Sequence, residues 1–413
     1  MTPSLRSYQG LDVQQNDTTG LYFTHYECYG HTSRAAALAG IFKKKFPHRN
    51  FFFIQAGQPQ PVAALDHWGT VHALSRPFNS RANFRHPVTV DPFSSALRAR
   101  ESLKIIEQEK PGIFITEYFP LGRGECRAEL LPVLRALVRQ NVPLVSIAGY
   151  PLLTGLKGRW LDLVLKMYQR VLVLCPAIEM DYIAGGYPAG SARRAYREFF
   201  TRYQEKIVFT GYLVPEAPVI MPSTGKANFS AGGRVKVAVV RGGGAYYPQI
   251  MTAAIRASEL LGEAYDFVLV AGPSTTDAEW RMFQGLMARK KTANARLVRW
   301  TDRYDQLIAE SDVCISPASY HTSLSLVQHS KRAVLIPFEG HGGVMHFREQ
   351  PARARLLADH LHSEILPFKS LSAGALAGAV TRMLNKDMST VNVPQSWFGG
   401  GPAALKAMAR ILG

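Results

Sequence analysis

The chain has 413 residues, enough for roughly two domains, and 47% of them are hydrophobic, which excludes an intrinsically disordered protein. No apolar run is long enough to cross a bilayer, and the polar residues 1–20 lack the apolar core of a signal peptide, so we expect a cytoplasmic protein. The formal charge of +17 suits a nucleic acid, an anionic membrane surface or a phosphorylated substrate, but also an ordinary basic surface.

The cysteine spacing and the absence of nucleic-acid-binding motifs exclude several classes of protein. No cysteine has CxxC or another metal-ligand spacing, so we predict free thiols rather than a disulfide framework or a structural zinc site. The four are Cys28, Cys126, Cys175 and Cys314. The chain carries no zinc finger, RNP motif or helix-turn-helix signature, and we therefore expect no nucleic-acid partner.

Short apolar runs alternate with helical periodicity through the first half of the chain. The runs typical of buried strands are residues 20–24, 50–57, 112–119, 142–149 and 170–176. The helices predicted between them are residues 33–46, 92–110 and 127–140. Strands without apolar/polar alternation, each followed by a helix, indicate a parallel sheet covered on both faces.

A second series of the same kind follows a turn-rich segment, residues 212–234. Its predicted strands are residues 235–240, 265–272, 295–300, 312–317 and 332–338. Its predicted helices are residues 248–262, 278–291, 304–310, 322–330 and 349–361, with a closing helix over 402–413. We therefore predict an α/β fold with two Rossmann-like doubly wound domains facing a central cleft, divided into a flexible tail (1–20), a first domain (21–215), a linker (216–235), a second domain (236–390) and a closing segment (391–413).

The first chemical signal is the stretch HYECYGHTSR, where the first strand ends and a helix begins. Gly30 has no Cβ, so the backbone can turn sharply there and a ligand can approach closely. His31 follows at the carboxyl edge of the strand, where an imidazole could act as a general base near neutral pH. The alternative is a turn glycine followed by a histidine that caps the helix.

A second signal is Glu117, which ends an otherwise apolar strand in the stretch GIFITEYFPLGRGE. A buried carboxylate is costly unless it is paired, and here it could orient His31 and stabilise its protonated form. The alternative is a structural ion pair with Arg123 or Arg127. The loop of residues 120–125 could also bind an anion.

The third signal is the glycine-rich loop in VRGGGAYYP, between the first strand and the first helix of the second domain. Exposed backbone N–H groups in such a loop could face a phosphate. The loop lacks the G-K-[ST] ending of a Walker loop and the full G-x-G-x-x-G context. A glycine-rich turn without a ligand remains the alternative.

The fourth signal is the stretch 312–359, in which two strands lead through small polar residues into helices. Helix N-termini carry partial positive charge, so two of them aimed into one cleft suit the diphosphate of a nucleotide sugar. Ordinary strand–helix loops with N-caps are the alternative. The chain contains no Asp-x-Asp and no typical metal-ligand spacing, and we therefore expect phosphate chemistry without a metal.

The motifs GHTSR, FITEYFPLGRGECRAELLPVL, FTGYL, RGGGA, SYHTSLSLVQHSKRAVLIPF and EQPARARLLA occur in that order. Together they resemble a family of bacterial glycosyltransferases related to the peptidoglycan N-acetylglucosaminyltransferase and, more distantly, to plant and macrolide UDP-sugar glycosyltransferases. The resemblance runs from about Leu21 to Leu356 and implies the two-domain GT-B architecture. It also implies inverting, metal-independent and cofactor-free transfer of a hexosyl or N-acetylhexosaminyl group from a nucleotide sugar, here most simply a UDP-sugar.

The resemblance assigns roles to individual residues. His31 would be the base that deprotonates the acceptor, with Glu117 as its acid partner, and the acceptor side would include Gly30, Thr32, Arg34 and Arg123. The donor diphosphate would rest on Gly242, Gly243, Gly244, Ser319, Tyr320, His321 and Thr322. The nucleotide base would lie near Arg299, Trp300 and Thr301, and the donor sugar beside Glu349 and Gln350.

One departure from the family pattern concerns the donor ribose. Relatives usually read GYNTVCE, with a glutamate on the ribose hydroxyls, whereas this chain reads SYHTSLS, with Ser325 at that position and Ser319 in place of a glycine. A serine makes one hydrogen bond where a carboxylate accepts two, so the donor nucleotide stays open. A nucleotide-sugar hydrolase or 2-epimerase and a non-catalytic binding protein therefore remain alternatives.

The acceptor is expected to be an envelope, lipid-linked or small molecule. The basic surface and the apolar segment 150–168 would suit docking to an anionic leaflet. We therefore expect peripheral contact with the inner face of the cytoplasmic membrane.

Overall fold

A computed structural model describes most of the chain. The described residues are 17–25, 30–57, 63–75, 92–151, 153, 158–187, 189–214, 229–230, 232–243, 247–339 and 349–412. Within them, no helix is long and apolar enough to span a bilayer. Three of the predicted free thiols, Cys126, Cys175 and Cys314, are buried and form no disulfide, whereas Cys28 lies outside the described residues.

The first domain is a parallel sheet with helices between its strands. The strands are β1 (Thr18–His25), β2 (Asn50–Gly57), β3 (Gly69–Ala73), β4 (Ile113–Glu117), β5 (Leu144–Ala148), β6 (Arg170–Val173) and β7 (Ile207–Phe209). The helices are α1 (Gly30–Lys45), α2 (Ala63–Asp66), α3 (Pro92–Glu109), α4 (Arg127–Arg139), α5 (Arg159–Leu165), α6 (Glu179–Gly185) and α7 (Ser191–Arg202). The strand order is β3-β2-β1-β4-β5-β6-β7, so β1 and β4 are neighbours at the centre.

The second domain repeats this architecture. Its strands are β8 (Val235–Val240), β9 (Tyr265–Val270), β10 (Ala295–Val298), β11 (Val313–Ser316), β12 (Arg332–Leu335) and β13 (Glu364–Ile365), in the order β10-β9-β8-β11-β12-β13. Its helices are α8 (Pro248–Leu261), α9 (Asp277–Ala288), α10 (Tyr304–Glu310), α11 (Tyr320–Gln328), α12 (Glu349–His360) and α13 (Ala373–Leu384), and α14 (Gly400–Leu412) follows them. Two parallel α/β sheets confirm the predicted fold class.

The packing of the central strands explains why one of them contains a glycine. Gly20 of β1 is in register with Phe52 of β2 on one side and with Phe114 of β4 on the other. A Cβ at position 20 would lie 2.4 Å from the ring of Phe52 and 2.7 Å from that of Phe114. Both rings are fully buried, and each such burial contributes about 1.5–3 kcal/mol to folding. The glycine therefore lets two large aromatic side chains flank the strand that leads to His31.

The closing segment returns to the first domain. The backbone N–H of Tyr212 donates to the carbonyl of Trp397 (2.6 Å), and that of Gly400 donates to the carbonyl of Tyr212 (3.2 Å). A Cβ at Gly401 would lie 3.2 Å from Ile41 of α1, so α14 packs closely on the helix that carries His31. The end of the chain thus contributes to the first domain although the second domain precedes it in the sequence.

Candidate active site

The first two candidate residues meet because β1 and β4 are adjacent parallel strands. His31 is the second residue of α1, which follows β1, and Glu117 is the last residue of β4. Their side chains are buried, and Nδ1 of His31 lies 2.6 Å from Oε2 of Glu117. The contact joins residues 86 positions apart in the sequence. The structure therefore brings together the two residues that were predicted to be catalytic.

Arg34, one helical turn after His31, completes the pairing of Glu117. Its Nε donates to Oε1 of Glu117 at 2.8 Å, and its Nη2 lies 2.8 Å from the same oxygen. Burial alone would raise the pKa of Glu117, but His31 and Arg34 together lower it to about 2. The carboxylate is therefore ionised at neutral pH, and its structural partner is Arg34 rather than Arg123 or Arg127.

Arg123 is hydrogen-bonded to the other nitrogen of the His31 imidazole. Its Nη2 lies 3.0 Å from Nε2 of His31. A guanidinium can only donate, so Nε2 accepts this hydrogen bond and Nδ1–H donates to Glu117. Burial lowers the pKa of His31, and the charges of Arg123 and Arg34 lower it further, against the opposing effect of Glu117. The imidazole is thus neutral at pH 7, which is the state that a general base requires.

The remaining acceptor-side predictions lie at the start of α1. Gly30 is the first residue of this helix, and Thr32, which follows His31 in the sequence, is buried. Among the described residues, the hydroxyl of Thr32 has no hydrogen-bond partner. Their roles toward an acceptor stay predictions.

Tyr320, the first residue of α11, connects the two domains. Its hydroxyl donates to the carbonyl of Leu174 at 2.6 Å and accepts from the N–H of Leu213 at 3.3 Å, both in the first domain. The next residue, His321, lies close enough to His31 and Arg34 for their charges to add to the effect of burial, and its pKa is lowered to about 3. The N-terminus of α11 thus faces the His31 cluster, as predicted for a shared cleft.

A stack of alternating arginine and tyrosine side chains crosses the cleft. The guanidinium of Arg34 lies 5.3 Å from the ring centre of Tyr118 and 5.1 Å from that of Tyr320. The guanidinium of Arg353 lies 4.9 Å from the ring centre of Tyr150 and 5.5 Å from that of Tyr320. Cation–π contacts of this kind contribute more when they are removed from water, as here. Tyr320 is therefore held between one arginine from each domain.

Arg353 also organises the start of α12. It donates to Glu349, one turn earlier, at 2.9 Å, to the carbonyl of Ala318 at 3.2 Å, and to Glu179 of the first domain at 3.5 Å. Burial raises the pKa of Glu349, although Arg353 opposes this shift. Gln350 accepts a hydrogen bond from the N–H of Phe338 through Oε1 (2.8 Å).

Sequence reasoning missed Arg353 and Glu179. The spacing of Arg353, four residues after Glu349 on a helix, could have indicated it. Glu179 had no comparable signal, because its partner lies 174 residues away in the other domain.

The glycine-rich loop lies against the N-terminus of α11. Gly242 has a φ of +80°, and a Cβ at this position would lie 3.3 Å from Oγ of Ser319. Gly272 has a φ of +91°, and a Cβ there would lie 2.3 Å from the carbonyl oxygen of Gly242. Ser274 donates to the carbonyl of Gly243 at 2.8 Å, whereas Gly244 lies outside the described residues. Glycines at both positions therefore allow two loops and a helix start to approach each other.

The hydroxyl groups at the start of α11 are linked to one another. Oγ of Ser319 lies 2.9 Å from Oγ1 of Thr322, which also contacts the hydroxyl of Tyr304. Ser325, one turn after His321, is 7% exposed. These contacts keep the helix start compact, and the donor contacts of Ser319, Thr322 and Ser325 stay predictions.

The three residues predicted to lie near the nucleotide base follow β10. Arg299 donates to Asp277 at 2.7 Å and to the carbonyl of Thr275 at 3.0 Å. Thr301 accepts from the N–H of Arg303 at 3.1 Å, and Trp300 is partly buried. Arg299 and Thr301 thus stabilise the loops at this edge of the second sheet, and their contact with a nucleotide stays a prediction.

No metal cluster is found in the part of the chain that the structure describes. No group of three or more His, Cys, Asp or Glu side chains there could hold a metal ion. The metal-independent reaction stays a prediction from the sequence.

The comparisons with known proteins concern both domains. Residues 237–396 match the glycosyltransferase family 28 C-terminal domain. This range contains the glycine-rich loop and the starts of α11 and α12. A search of the curated proteins finds no match.

Solved structures resemble the chain over nearly its whole length. MurG from Acinetobacter baumannii is 14% identical with a TM-score of 0.56, and the match covers 96% of this chain and 99% of MurG. The glycotransferase of kitacinnamycin is 12% identical with a TM-score of 0.61 over 96% and 99% of the two chains. The UDP-GlcNAc 2-epimerase from Neisseria meningitidis, bound to UDP-GlcNAc, is 11% identical with a TM-score of 0.55 over 95% and 100%. Likeness at such low identity shows the fold, and it confirms the predicted two-domain GT-B architecture.

Proposed function

This chain is a GT-B glycosyltransferase related to MurG, and from that premise we propose the reaction that it catalyses. The reaction is the inverting, metal-independent transfer of a hexosyl or N-acetylhexosaminyl group from a nucleotide sugar, with UDP as the first candidate nucleotide, to a hydroxyl group of an acceptor. One observation carries the proposal: His31 faces the start of α11 and is bonded through Nδ1 to the ionised Glu117 at 2.6 Å.

In the proposed step, His31 removes the acceptor proton. The hydroxyl proton moves to Nε2 while the acceptor oxygen attacks the anomeric carbon of the donor. The bond from that carbon to the diphosphate oxygen breaks on the opposite face, and the nucleoside diphosphate leaves with the bonding electrons. Glu117 stabilises the imidazolium that forms, as the acid of a catalytic triad does.

The second domain would bind the leaving group. The N-terminus of α11, beside the Gly242 loop, offers backbone N–H groups and partial positive charge to a diphosphate. The family 28 match over this region and the UDP-GlcNAc bound by the N. meningitidis epimerase support a nucleotide sugar as donor. Ser325 keeps the choice of nucleotide open.

A mutation separates base catalysis from donor binding. We expect His31→Ala to lower turnover by about 10²- to 10⁴-fold, the range for a lost general base, while stabilisation by the bound nucleotide is unchanged. A thermal-shift screen with UDP, GDP, dTDP and CDP first identifies the nucleotide. Release of that nucleotide from its sugar conjugates, with a panel of alcohol acceptors, then measures turnover.

The matched control uses a second histidine–glutamate pair in the same domain. His72 of β3 lies 2.7 Å from Glu109 at the end of α3. His72→Ala removes a similar contact without touching the cleft cluster, so we expect near-normal turnover. Near-wild-type turnover in His31→Ala would remove this histidine from the mechanism and contradict the proposed reaction.

A 2-epimerase or hydrolase activity is the second candidate, because an epimerase shares the fold. Such an enzyme needs acid or base groups around the donor sugar. Glu349 is a candidate, because burial raises its pKa and because it lies close enough to Arg34 and Arg123 for their charges to act on it. Donor turnover without any acceptor, lost in Glu349→Gln but not in His31→Ala, would favour this activity over transfer.

The proposed acceptor includes lipid-linked molecules, which suits the surface around α5 and α7. Trp160 and Leu163 of α5 are 48% and 45% exposed, and Arg127 lies 5.3 Å from the ring centre of Trp160. The hydroxyl of Tyr203, just after α7, contacts Asp162 of α5 and joins the two helices. The exposed face of α7 adds a groove lined by four arginines and one glutamate, together with Gly190 and Thr201; the charged residues are Arg193, Arg194, Arg197, Glu198 and Arg202.

Apolar side chains beside clustered arginines are typical of binding to an anionic membrane surface. We expect Trp160→Ala combined with Leu163→Ser to reduce co-sedimentation with phosphatidylglycerol vesicles by at least several-fold. The control is Leu260→Ser, at a 64% exposed residue of α8 in the second domain. Equal sedimentation of the two variants would contradict membrane docking through α5.

A further inference from the structure

Both nitrogens of the proposed base are occupied in this structure. Nδ1 of His31 is bonded to Glu117, and Nε2 is bonded to Arg123 at 3.0 Å. An acceptor hydroxyl must donate its proton to Nε2, the position that the guanidinium now holds. Arg123 therefore has to leave before the base can act.

The loop that carries Arg123 is held firmly in place. Tyr118 has a φ of +63° and Arg123 a φ of +57°, a left-handed conformation that is unfavourable for residues with a Cβ. The N–H of Gly122 donates to the carbonyl of Tyr118 at 2.7 Å, and the turn that follows buries Cys126. Because the backbone is fixed on both sides, the side chain of Arg123 is the part that can move.

Arg123 is also more exposed than the other arginines of the cleft. Arg34 and Arg353 are buried between tyrosine rings and paired with buried carboxylates. The side chain of Arg123 is 27% exposed, and its ion pair with Glu125, itself 28% exposed, is long at 3.5 Å. A strong anion that enters on the acceptor side beside Nε2, apart from a donor diphosphate bound at the start of α11, would thus recruit Arg123 before it disturbs Arg34 or Arg353.

We propose that Arg123 blocks the base until an anionic acceptor draws it away, so that transfer is selective for alcohols that carry a phosphate group. This inference rests on the proposed function and names the substrate class of the same site. A guanidinium binds phosphate through two charge-assisted hydrogen bonds, which are stronger than a single bond to a neutral imidazole. A phosphorylated acceptor supplies the replacement partner for Arg123 and places its own hydroxyl near the freed Nε2. Water and neutral alcohols supply no such partner, so the same contact suppresses hydrolysis of the donor.

The first test observes His31 directly and needs no turnover. In the full-length chain labelled with ¹⁵N-histidine, the His31 signals are assigned by their loss in His31→Gln. We expect sn-glycerol 3-phosphate to shift the Nε2 resonance in a saturable way, because Nε2 loses the guanidinium bond, and glycerol to leave it unchanged. Arg123→Met should abolish the response, and Arg123→Lys should retain part of it.

Two arms distinguish the sources of the phosphate. A response to soluble sn-glycerol 3-phosphate indicates a soluble phosphorylated acceptor. A response to bilayers that contain phosphatidylglycerol, without one to the soluble compound, indicates a lipid headgroup. If neither probe shifts Nε2, or if Arg123→Met responds like the wild type, the proposed role of Arg123 is wrong.

The second test uses hydrolysis of UDP-GlcNAc without acceptor. Water would lose its proton to Nε2 as its oxygen attacks the anomeric carbon and UDP leaves. We expect Arg123→Met to raise this rate by about tenfold or more, the factor that corresponds to one hydrogen bond to a charged group. The control is Arg127→Met, which removes a nearby charge that lies over Trp160 and not on His31.

The pH profile distinguishes this role from a structural one. The groups that act on the His31 charge are Glu117, Arg123, Arg34 and His321. A base must be neutral, so activity is lost as pH falls through the pKa of His31, which lies below its usual 6.5. Arg123→Met removes one of the charges that lower this pKa, and the acid limb should therefore move to higher pH, whereas Arg127→Met should leave it in place.

The outcomes separate this inference from the proposed function. If His31→Ala abolishes transfer while phosphate leaves Nε2 unaffected, the reaction stands and the blocking role of Arg123 fails. If His31→Ala retains transfer, the proposed reaction itself fails.

Discussion

The two sides of the cleft differ in whether side chains or backbone segments form the candidate site. On the first domain, His31, Glu117 and Arg34 form a chain of charged and polar side chains whose bonds fix a tautomer and an ionisation state. On the second domain, Gly242 and Gly272 shape a site by letting backbone segments approach. Under the proposed reaction, proton transfer would depend on side-chain chemistry, whereas diphosphate binding would depend on backbone geometry. Substitutions on the two sides should therefore change different kinetic constants.

Glu117→Gln should have the largest effect. Arg34 donates to Oε1, so the new amide must turn its oxygen toward Arg34 and its NH₂ group toward Nδ1 of His31. Nδ1 would then have to accept a hydrogen bond, and the proton would move to Nε2, where it meets the guanidinium of Arg123 and where the imidazole could no longer accept a proton from the acceptor. We expect kcat to fall by about 10⁴-fold, the loss typical of an orienting carboxylate that becomes an amide, with donor binding unchanged in a thermal-shift assay.

The control for this substitution is Glu109→Gln, in the pair with His72. It changes the same functional group at nearly the same distance from a histidine, and we expect kcat to stay within about twofold of the wild type. A weaker donor affinity in Glu117→Gln, with kcat preserved, would show that the two sides are not separable.

Gly272→Ala should instead weaken donor binding and leave the proton-transfer step unchanged. The added Cβ would lie 2.3 Å from the carbonyl oxygen of Gly242, at a φ of +91° that alanine rarely adopts. The two loops must separate, so we expect donor affinity to fall by about tenfold to a hundredfold, or 1.4–2.7 kcal/mol, while the acid limb of the pH profile stays unchanged. Titration with the nucleotide identified in the thermal-shift screen measures the affinity.

Gly285→Ala provides the matched control on α9. Nothing lies within 4 Å of a Cβ added there, so the change should leave donor affinity unaltered and stabilise the helix by up to about 1 kcal/mol. Equal donor affinity in the two alanine variants would contradict a donor site built on the Gly242 loop.

The strength of the hydrophobic pattern explains which elements the sequence could predict. The alternation of buried strands and helices indicated both sheets, because strands that are covered on two faces are continuous apolar runs. The short strands β3, β7 and β13 and the helices α5, α6, α7 and α13 were passed over. Most of these are short or mostly exposed elements whose pattern is weak, and tertiary contacts decide them, whereas α13 has 12 residues with a buried apolar face that its sequence could have indicated.

The His31–Glu117 pair was predictable because each residue ends or follows a buried strand. Parallel strands bring their carboxyl ends to one edge, so adjacency of β1 and β4 suffices to join them. Arg123 was noted as a possible partner of Glu117, but its bond to His31 depends on the left-handed backbone at Tyr118 and Arg123. The bonds of Arg353 to Glu179 and of Tyr320 to Leu174 cross between domains, and no local pattern encodes such contacts.

Tyr320→Phe should have the smallest effect, and it tests a residue that belongs to both sides of the comparison. The ring between Arg34 and Arg353 is retained, whereas the bonds of the hydroxyl to Leu174 and Leu213 are lost. We expect a loss of about 1 kcal/mol in the free energy of unfolding, measured by urea denaturation, with donor affinity and kcat within about twofold of the wild type.

Tyr182→Phe is the control for that loss, because the hydroxyl of Tyr182 also joins the domains, by a bond of 2.7 Å to Asp359, but at an exposed position. We expect its cost to stay below about 0.5 kcal/mol, since water replaces an exposed hydrogen bond more easily than a buried one. If Tyr320→Phe instead weakens donor binding by tenfold without changing stability, its hydroxyl touches the diphosphate when the donor is bound. The side chain of Tyr320 would then belong to the donor site. Donor binding at the start of α11 would in that case depend on a side chain as well as on backbone geometry.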